Sequence, residues 1–104
     1  GYLVQSVNSS SAYDGEKIQY SMRLEAGGSV VASYGGKGSY VSAASSSSYG
    51  DGNWHHAAMT LASSGVFTLY IDGAAVATDS YSEASGTRYY TLSLFRRFNL
   101  YEFL

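Results

Sequence analysis

A two-residue period runs through this chain and restricts its fold more than any single motif does. Between Glu16 and Glu25, Ile18, Tyr20, Met22 and Leu24 share one parity, while Lys17, Gln19, Ser21, Arg23 and Glu25 share the other. Successive side chains of a strand point to opposite faces, so the pattern predicts a strand with one buried face. Strand-like segments recur at Val30 to Tyr34, Tyr40 to Ala44, Trp54 to Leu61, Val66 to Asp72, Ala74 to Thr78 and Tyr89 to Leu94. Phe98, Leu100 and Leu104 offer a last one, suited to pairing at the carboxyl end. No window carries a helical period, and short strands with regular turns indicate an all-β sandwich or barrel.

The punctuation agrees with the period. Ala26-Gly27-Gly28 and Ser63-Ser64-Gly65 supply turns, and Gly35-Gly36-Lys37-Gly38 ends a strand. Asp72-Gly73, set between apolar strands, is the strongest hairpin signal, because a two-residue type I′ turn needs positive φ at both central positions. Ser45 to Asn53 and Ser80 to Gly86 read as surface loops.

Nineteen Ser and twelve Gly in 104 residues would suit a flexible segment, but eleven Tyr, four Phe and one Trp argue for a packed domain. Charged residues make up only 13%, about half the usual share, so Ser, Thr and Tyr hydroxyls must cover the outer faces. Six Lys+Arg against eight Asp+Glu give a net charge of −2, which speaks against a nucleic-acid partner. No apolar run approaches the ~18 residues of a membrane helix, so membrane insertion is not expected. Without cysteine there are neither disulfide staples nor thiol chemistry.

Two segments then narrow the fold. Asp51-Gly52-Asn53-Trp54-His55-His56-Ala57-Ala58-Met59-Thr60, followed by Leu69-Tyr70-Ile71-Asp72-Gly73-Ala74-Ala75-Val76, resembles the central motif pair of laminin G-like domains in the concanavalin A-like lectin/glucanase superfamily. Gly28 to Tyr34 and Leu92-Ser93-Leu94 fit the same pattern, so the likeness covers roughly Glu16 to Arg96. The resemblance implies an antiparallel two-sheet jelly roll in a secreted or cell-surface protein that binds carbohydrate or protein. The ends depart from the family: neither an opening aromatic-Asp-Gly strand nor a closing Gly-x-Ile-Asp-Glu strand is present. The expectation is a jelly-roll domain over residues 16–104, short of terminal strands, preceded by an amino-terminal segment and tether over residues 1–15.

The chemistry-bearing residues favour packing over catalysis. His55 and His56 are adjacent on a strand, point to opposite faces and cannot chelate one ion. His55 shares parity with Ala57, Met59 and Leu61 and reads as a buried, hydrogen-bonded ring. Trp54 could stack on a sugar as in lectins, but its place beside this motif and the dominance of aromatics in cores favour packing, with Phe67, Leu69 and Ile71 completing the apolar set. The eight acids are scattered, the Glu-x-Asp-x-x-Glu motif of the superfamily's glucanases is missing, and no Gly-x-Ser-x-Gly elbow occurs, so no enzyme is expected. Gly35-Gly36-Lys37-Gly38-Ser39 lacks the ending and helix of a phosphate loop, and no loop is acidic enough for calcium, so neither metal nor cofactor is expected. Asn8-Ser9-Ser10 fits an N-glycosylation acceptor.

Two functions follow from different features. A sheet short of strands invites one from another chain, and uncharged Gly1 to Val7, with Tyr2, Leu3, Val4 and Val7, suits donation to a neighbour. Forward donation gives a homo-oligomer or an open filament, hence a non-enzymatic extracellular structural subunit. The alternative is a monomeric carbohydrate-binding module using loop aromatics and polar groups: Tyr49, Asp51, Asn53, Tyr81, Glu83 and Tyr89. Arg96-Arg97, beside Phe95 and Phe98, is the one local cationic patch and suits protection of a strand edge.

Overall fold

The computed structural model describes residues 2–5, 19–36, 39–81 and 90–99, all strands and turns with no helix among them. Eight strands follow in order: β1 (Tyr2–Gln5), β2 (Gln19–Leu24), β3 (Val30–Gly36), β4 (Ser39–Ala44), β5 (Asp51–Leu61), β6 (Val66–Ile71), β7 (Ala74–Ser80) and β8 (Tyr90–Asn99). They form two antiparallel four-stranded sheets, ordered β1-β2-β3-β4 and β7-β6-β5-β8.

The two-residue period decides what lies between the sheets. Met22 and Leu24 of β2, Val30 and Ala32 of β3, and Val41 and Ala43 of β4 face Ala57, Met59 and Leu61 of β5 and Phe67, Leu69 and Ile71 of β6. Each large apolar side chain buried there contributes on the order of 1.5–3 kcal/mol. The outer faces are hydroxyl-rich, as so few charges require. Gln5, Ser21, Ser33 and Ser42 are register partners across one sheet, and Thr78, Thr68, Thr60 and Thr91 across the other.

The lateral sides are tied by charged side chains that reach across to edge strands. On one side the Ser42 N–H of β4 donates to Asp79 Oδ2 of β7 at 3.2 Å. On the other, Arg96 Nη1 of β8 donates to the Leu3 carbonyl of β1 at 3.4 Å. Each tie occupies a backbone group at the rim of a sheet, where open N–H and C=O groups otherwise recruit foreign strands.

Several boundaries differ from expectation. Strand β5 starts at Asp51 rather than Trp54, because a bulge disguises its first residues as loop. The chain from Tyr90 to Asn99 is one strand, and Phe98 is a fully buried core residue rather than the seed of a separate last strand. Tyr2 and Val4 pair with Arg23 and Met22 of the same chain, and Leu3 is buried, so β1 sits in the sandwich rather than standing apart as a leading segment. Val7, Asn8, Leu100 and Leu104 lie outside the described residues.

The predicted hairpins form. Asp72 and Gly73 have φ of 53° and 84°, as the type I′ turn demands. Ala62 to Gly65 makes a four-residue connection, with Gly65 N–H donating to the Ala62 carbonyl at 2.9 Å and Tyr81 N–H to the Gly65 carbonyl at 2.7 Å. Gly65 has φ of 98°, and a Cβ there would stand 2.7 Å from the Tyr81 carbonyl oxygen. Gly65→Ala is therefore expected to cost at least about 2 kcal/mol in denaturant unfolding, combining left-handed strain with a backbone clash. Gly27→Ala, which meets nothing within 4 Å, is expected to be neutral or slightly stabilising, and equal losses at both sites would contradict this reading of the turn.

Candidate functional site

The first residues of β5 carry a different surface on each face of one strand. Asp51 pairs with Asn99 and Trp54 with Arg97, so three steps along β5 oppose two along β8. The extra residue is absorbed at Gly52, whose φ of 79° few side chains tolerate, and Asn53 N–H donates to Asp51 Oδ1 at 3.0 Å. In a flat strand residues four apart are separated by about 13 Å, beyond the reach of an aspartate and an imidazole together. The bulge folds Asp51 back so that its Oδ1 lies 2.9 Å from His55 Nε2.

The other ring nitrogen of His55 is held from the β6–β7 hairpin, where Asp72 Oδ2 lies 2.7 Å from Nδ1. Asp72 Oδ1 accepts the His56 N–H at 3.0 Å, and Asp72 N–H donates to the His56 carbonyl at 2.7 Å. Ionised carboxylates only accept, so the ring satisfies both together only in its protonated form, which donates from both nitrogens. Tyr49 meets this ring edge-on at 5.6 Å and Phe98 lies tilted beneath it at 5.0 Å. Burial pulls the His55 pKa down, but the bonds to Asp72 and Asp51 outweigh it and raise the value above 6.5. Asp51 falls to about 2, chiefly through His55 and then through the Asn53 N–H. Asp72 is also lowered, first by His55, against burial and with help from the His56 N–H. The cluster is a clasp that ties the bulge to the hairpin. Both His55 nitrogens are taken up in it, and among the described residues no group of three His, Asp or Glu side chains is placed to hold a metal ion.

The opposite face of the same strand is open. Trp54 and His56 project outward and pair in register with Arg97 and Phe95 of β8, forming a two-by-two patch. The aromatic diagonal is stacked, with Trp54 and Phe95 ring centroids 5.2 Å apart and planes 25° off parallel. Trp54 is 57% exposed and Phe95 64% exposed, which corrects the expectation that Trp54 belongs to the core. Its parity, opposite to that of buried His55, Ala57, Met59 and Leu61, prevails over its apolar size. Arg97 and His56 occupy the other diagonal, and Asn53, which precedes Trp54 in the chain, is exposed.

The remaining sequence-predicted residues divide. His55, Met59, Leu61, Phe67, Leu69 and Ile71 are buried. Tyr49 is half-buried against His55, and Asp51 belongs to the clasp. Tyr81 is buried, with its ring edge-on to Tyr34 at 5.6 Å, and so offers no face to a sugar. Glu83 and Tyr89 lie outside the described residues. Phe95 was legible only by carrying the parity of Leu92 and Leu94 through to Phe98, which turns Phe95 outward. A separate cavity of about 240 Å³ opens between the sheets, lined by Tyr20, Tyr34, Met59, Leu61, Phe67 and Leu92 with Thr60 and Thr91. Among the described residues no charged side chain lines it to orient a ligand.

Comparison with known families places this architecture. A laminin G-like family model, described as concanavalin A-like lectin/glucanases superfamily, matches residues 2–99. The chain belongs to this family. The two four-stranded antiparallel sheets are accordingly a concanavalin A-like β-sandwich. Laminin G-like domains are generally non-catalytic and typically occur in extracellular or cell-surface proteins, and membership fits a lectin-like or structural module. No curated protein and no solved structure gave a significant match.

The clasp fixes how this laminin G-like domain responds to pH. A raised histidine pKa contributes stability that is complete below the unfolded value and is lost as pH climbs through the folded one. Lowered aspartate values contribute above the unfolded value and are lost as pH falls through the folded ones. Melting temperature is therefore expected to peak between about pH 4 and pH 6.5, bounded by the ordinary values 3.8 and 6.5. In His55→Gln the decline above pH 6.5 should flatten; an unchanged slope would place the titration elsewhere.

Proposed function

We propose that this domain is a non-catalytic, extracellular carbohydrate-binding module whose ligand stacks on the Trp54–Phe95 platform. The observation that carries the reading is a pair of stacked rings, both more than half exposed, on a sheet whose other large side chains are mostly turned inward. Exposed aromatic area costs free energy in water and offers a flat apolar face to the C–H surface of a sugar ring. Around it, Arg97, His56 and Asn53 present donors and an acceptor at the rim, where sugar hydroxyls need partners. The clasp beneath holds β5 in register, so the platform is preorganised before a ligand arrives. Family membership supports the lectin-like class and the extracellular setting.

Strand exchange is the second reading, favoured by the brevity of β1. Four residues, interrupted by a bulge between Tyr2 and Val4, pair with β2, and Arg96 ties Leu3 at 3.4 Å. Such a strand is readily traded for that of a neighbour, giving a self-assembling structural subunit.

One substitution separates the readings. Trp54 is the single tryptophan, so fluorescence excited where indole absorbs and the eleven tyrosines do not reports on the platform alone during titration with soluble oligosaccharides selected on a glycan array. Trp54→Ala is expected to weaken binding, followed by calorimetry, about tenfold or more with little change in melting temperature. Tyr40→Ala, which removes an exposed ring from the other sheet, should leave affinity unchanged. Undiminished binding by Trp54→Ala would overturn the assignment, whereas strand exchange depends on Tyr2, Leu3 and Val4 and is indifferent to it.

A further inference from the structure

We propose that a single proton on His55 gates the aromatic platform, so that the domain holds its glycan while the ring is protonated and releases it as the ring is neutralised. The ligand rests on the carbohydrate-binding reading; the movement rests on the clasp. His55 has little room to adjust to a change of charge, because only 10% of its side chain is exposed, Phe98 lies tilted beneath the ring at 5.0 Å and Tyr49 stands edge-on at 5.6 Å. From β8 its register partner is Arg96, whose Nη1 donates to the Leu3 carbonyl at 3.4 Å. Among the described residues the carboxylates that face the ring are Asp51 from β5 and Asp72 from the β6–β7 hairpin.

A neutral imidazole has one N–H and one lone pair, so it can serve only one of two carboxylates. Asp72 is the one it keeps. That carboxylate stands closer to the ring, 2.7 Å against 2.9 Å, and is pinned separately by the His56 N–H on its other oxygen, while its own backbone N–H donates to the His56 carbonyl. The remaining proton therefore sits on Nδ1, and the Nε2 lone pair faces Asp51 Oδ1 with no hydrogen between them. Two acceptors so placed repel, and the Asp51 carboxylate, 46% exposed, turns out to water.

The loss reaches Trp54 through one atom. Asp51 Oδ1 accepts both the His55 bond and the Asn53 N–H at 3.0 Å, so the oxygen that leaves the ring also leaves the turn that shapes the bulge. Gly52, at the centre of that turn, has φ of 79° and open space where a Cβ would stand, so its backbone can relax. Trp54 is the next residue to pair with β8, opposite Arg97, and its stack on Phe95 bridges the two strands. Once the bulge loosens, the ring pair must be re-ordered each time a sugar binds, and affinity falls by what preorganisation supplied. Burial lowers the His55 pKa, but the bonds to Asp72 and Asp51 leave it above 6.5, so the platform is ordered below that pH and loosens as pH rises through the folded value.

The gate is read first without sugar, by following the His55 ring and the Trp54 indole together by NMR from about pH 5 to about pH 9. The indole resonance is expected to move at the His55 midpoint in the parent and in His56→Gln, which removes the other imidazole of the patch, and to lose that transition in His55→Gln. Asp51→Asn separates the gate from mere presence of a charged ring: its amide accepts from the protonated ring and donates to the neutral one, so His55 still titrates while Trp54 stays in place. Affinity for a soluble oligosaccharide, followed by calorimetry, is expected to fall about fivefold across the transition in the parent and to stay level in Asp51→Asn, and saturating sugar should tighten proton binding at His55 by the same factor. An indole that ignores the His55 midpoint, one that follows it equally in Asp51→Asn, or equal parent affinity on both sides of it overturns the gate and leaves the carbohydrate reading standing. Trp54 following His55 in the parent alone, with no sugar bound at either pH, supports the movement and counts against that reading.

Discussion

One histidine held between two carboxylates organises the end of the sandwich that carries the stacked Trp54–Phe95 pair. His55 bonds Asp51 on its own strand and Asp72 on the neighbouring hairpin, and neither bond is available without backbone left of the usual strand geometry. Gly52 and Asp72 both take positive φ, one to fold the strand back and one to close the hairpin. Glycine takes that conformation without strain, and the left-handed strain at Asp72 is compensated by charge-assisted bonds to a ring that is itself mostly shielded from water. What looks in the sequence like a polar loop followed by two histidines is a single mechanical unit.

That unit separates two kinds of surface by one residue. Inward, His55 rests on Phe98 and against Tyr49, continuous with the apolar core. Outward, Trp54 stacks on Phe95 in water. Alternation alone produces this division, and the clasp prevents a one-residue slip that would exchange the two faces. Elsewhere on this outer face Thr78, Thr68, Thr60 and Thr91 run in register, and the stacked rings are its two most exposed large apolar side chains among the described residues.

Much of this architecture was legible in the residues. The parity of Met22 and Leu24, and of Phe67, Leu69 and Ile71, places the core correctly, and Asp72-Gly73 announces its turn. His55 was recognisable as a buried, bonded ring from its parity with Ala57, Met59 and Leu61. The two misreadings differ in cause: Trp54 is read as core because aromatics dominate cores, although the alternation turns it outward, and Tyr81 is read as a loop aromatic open to a sugar. Trp54 has the outward parity and is exposed, while Tyr81, one residue past the end of β7, folds under Tyr34. The clasp partners were beyond reach, because the Asp51 bond needs a bulge and the Asp72 bond spans 17 residues, neither of which local spacing encodes.

Solution NMR with a soluble oligosaccharide offers the most direct test of where this domain meets its ligand. Perturbations confined to Asn53, Trp54, His56, Phe95 and Arg97 are the predicted result. Shifts centred instead on Tyr20, Tyr34 and Leu92 around the cavity between the sheets, with the Trp54 indole unmoved, would contradict it.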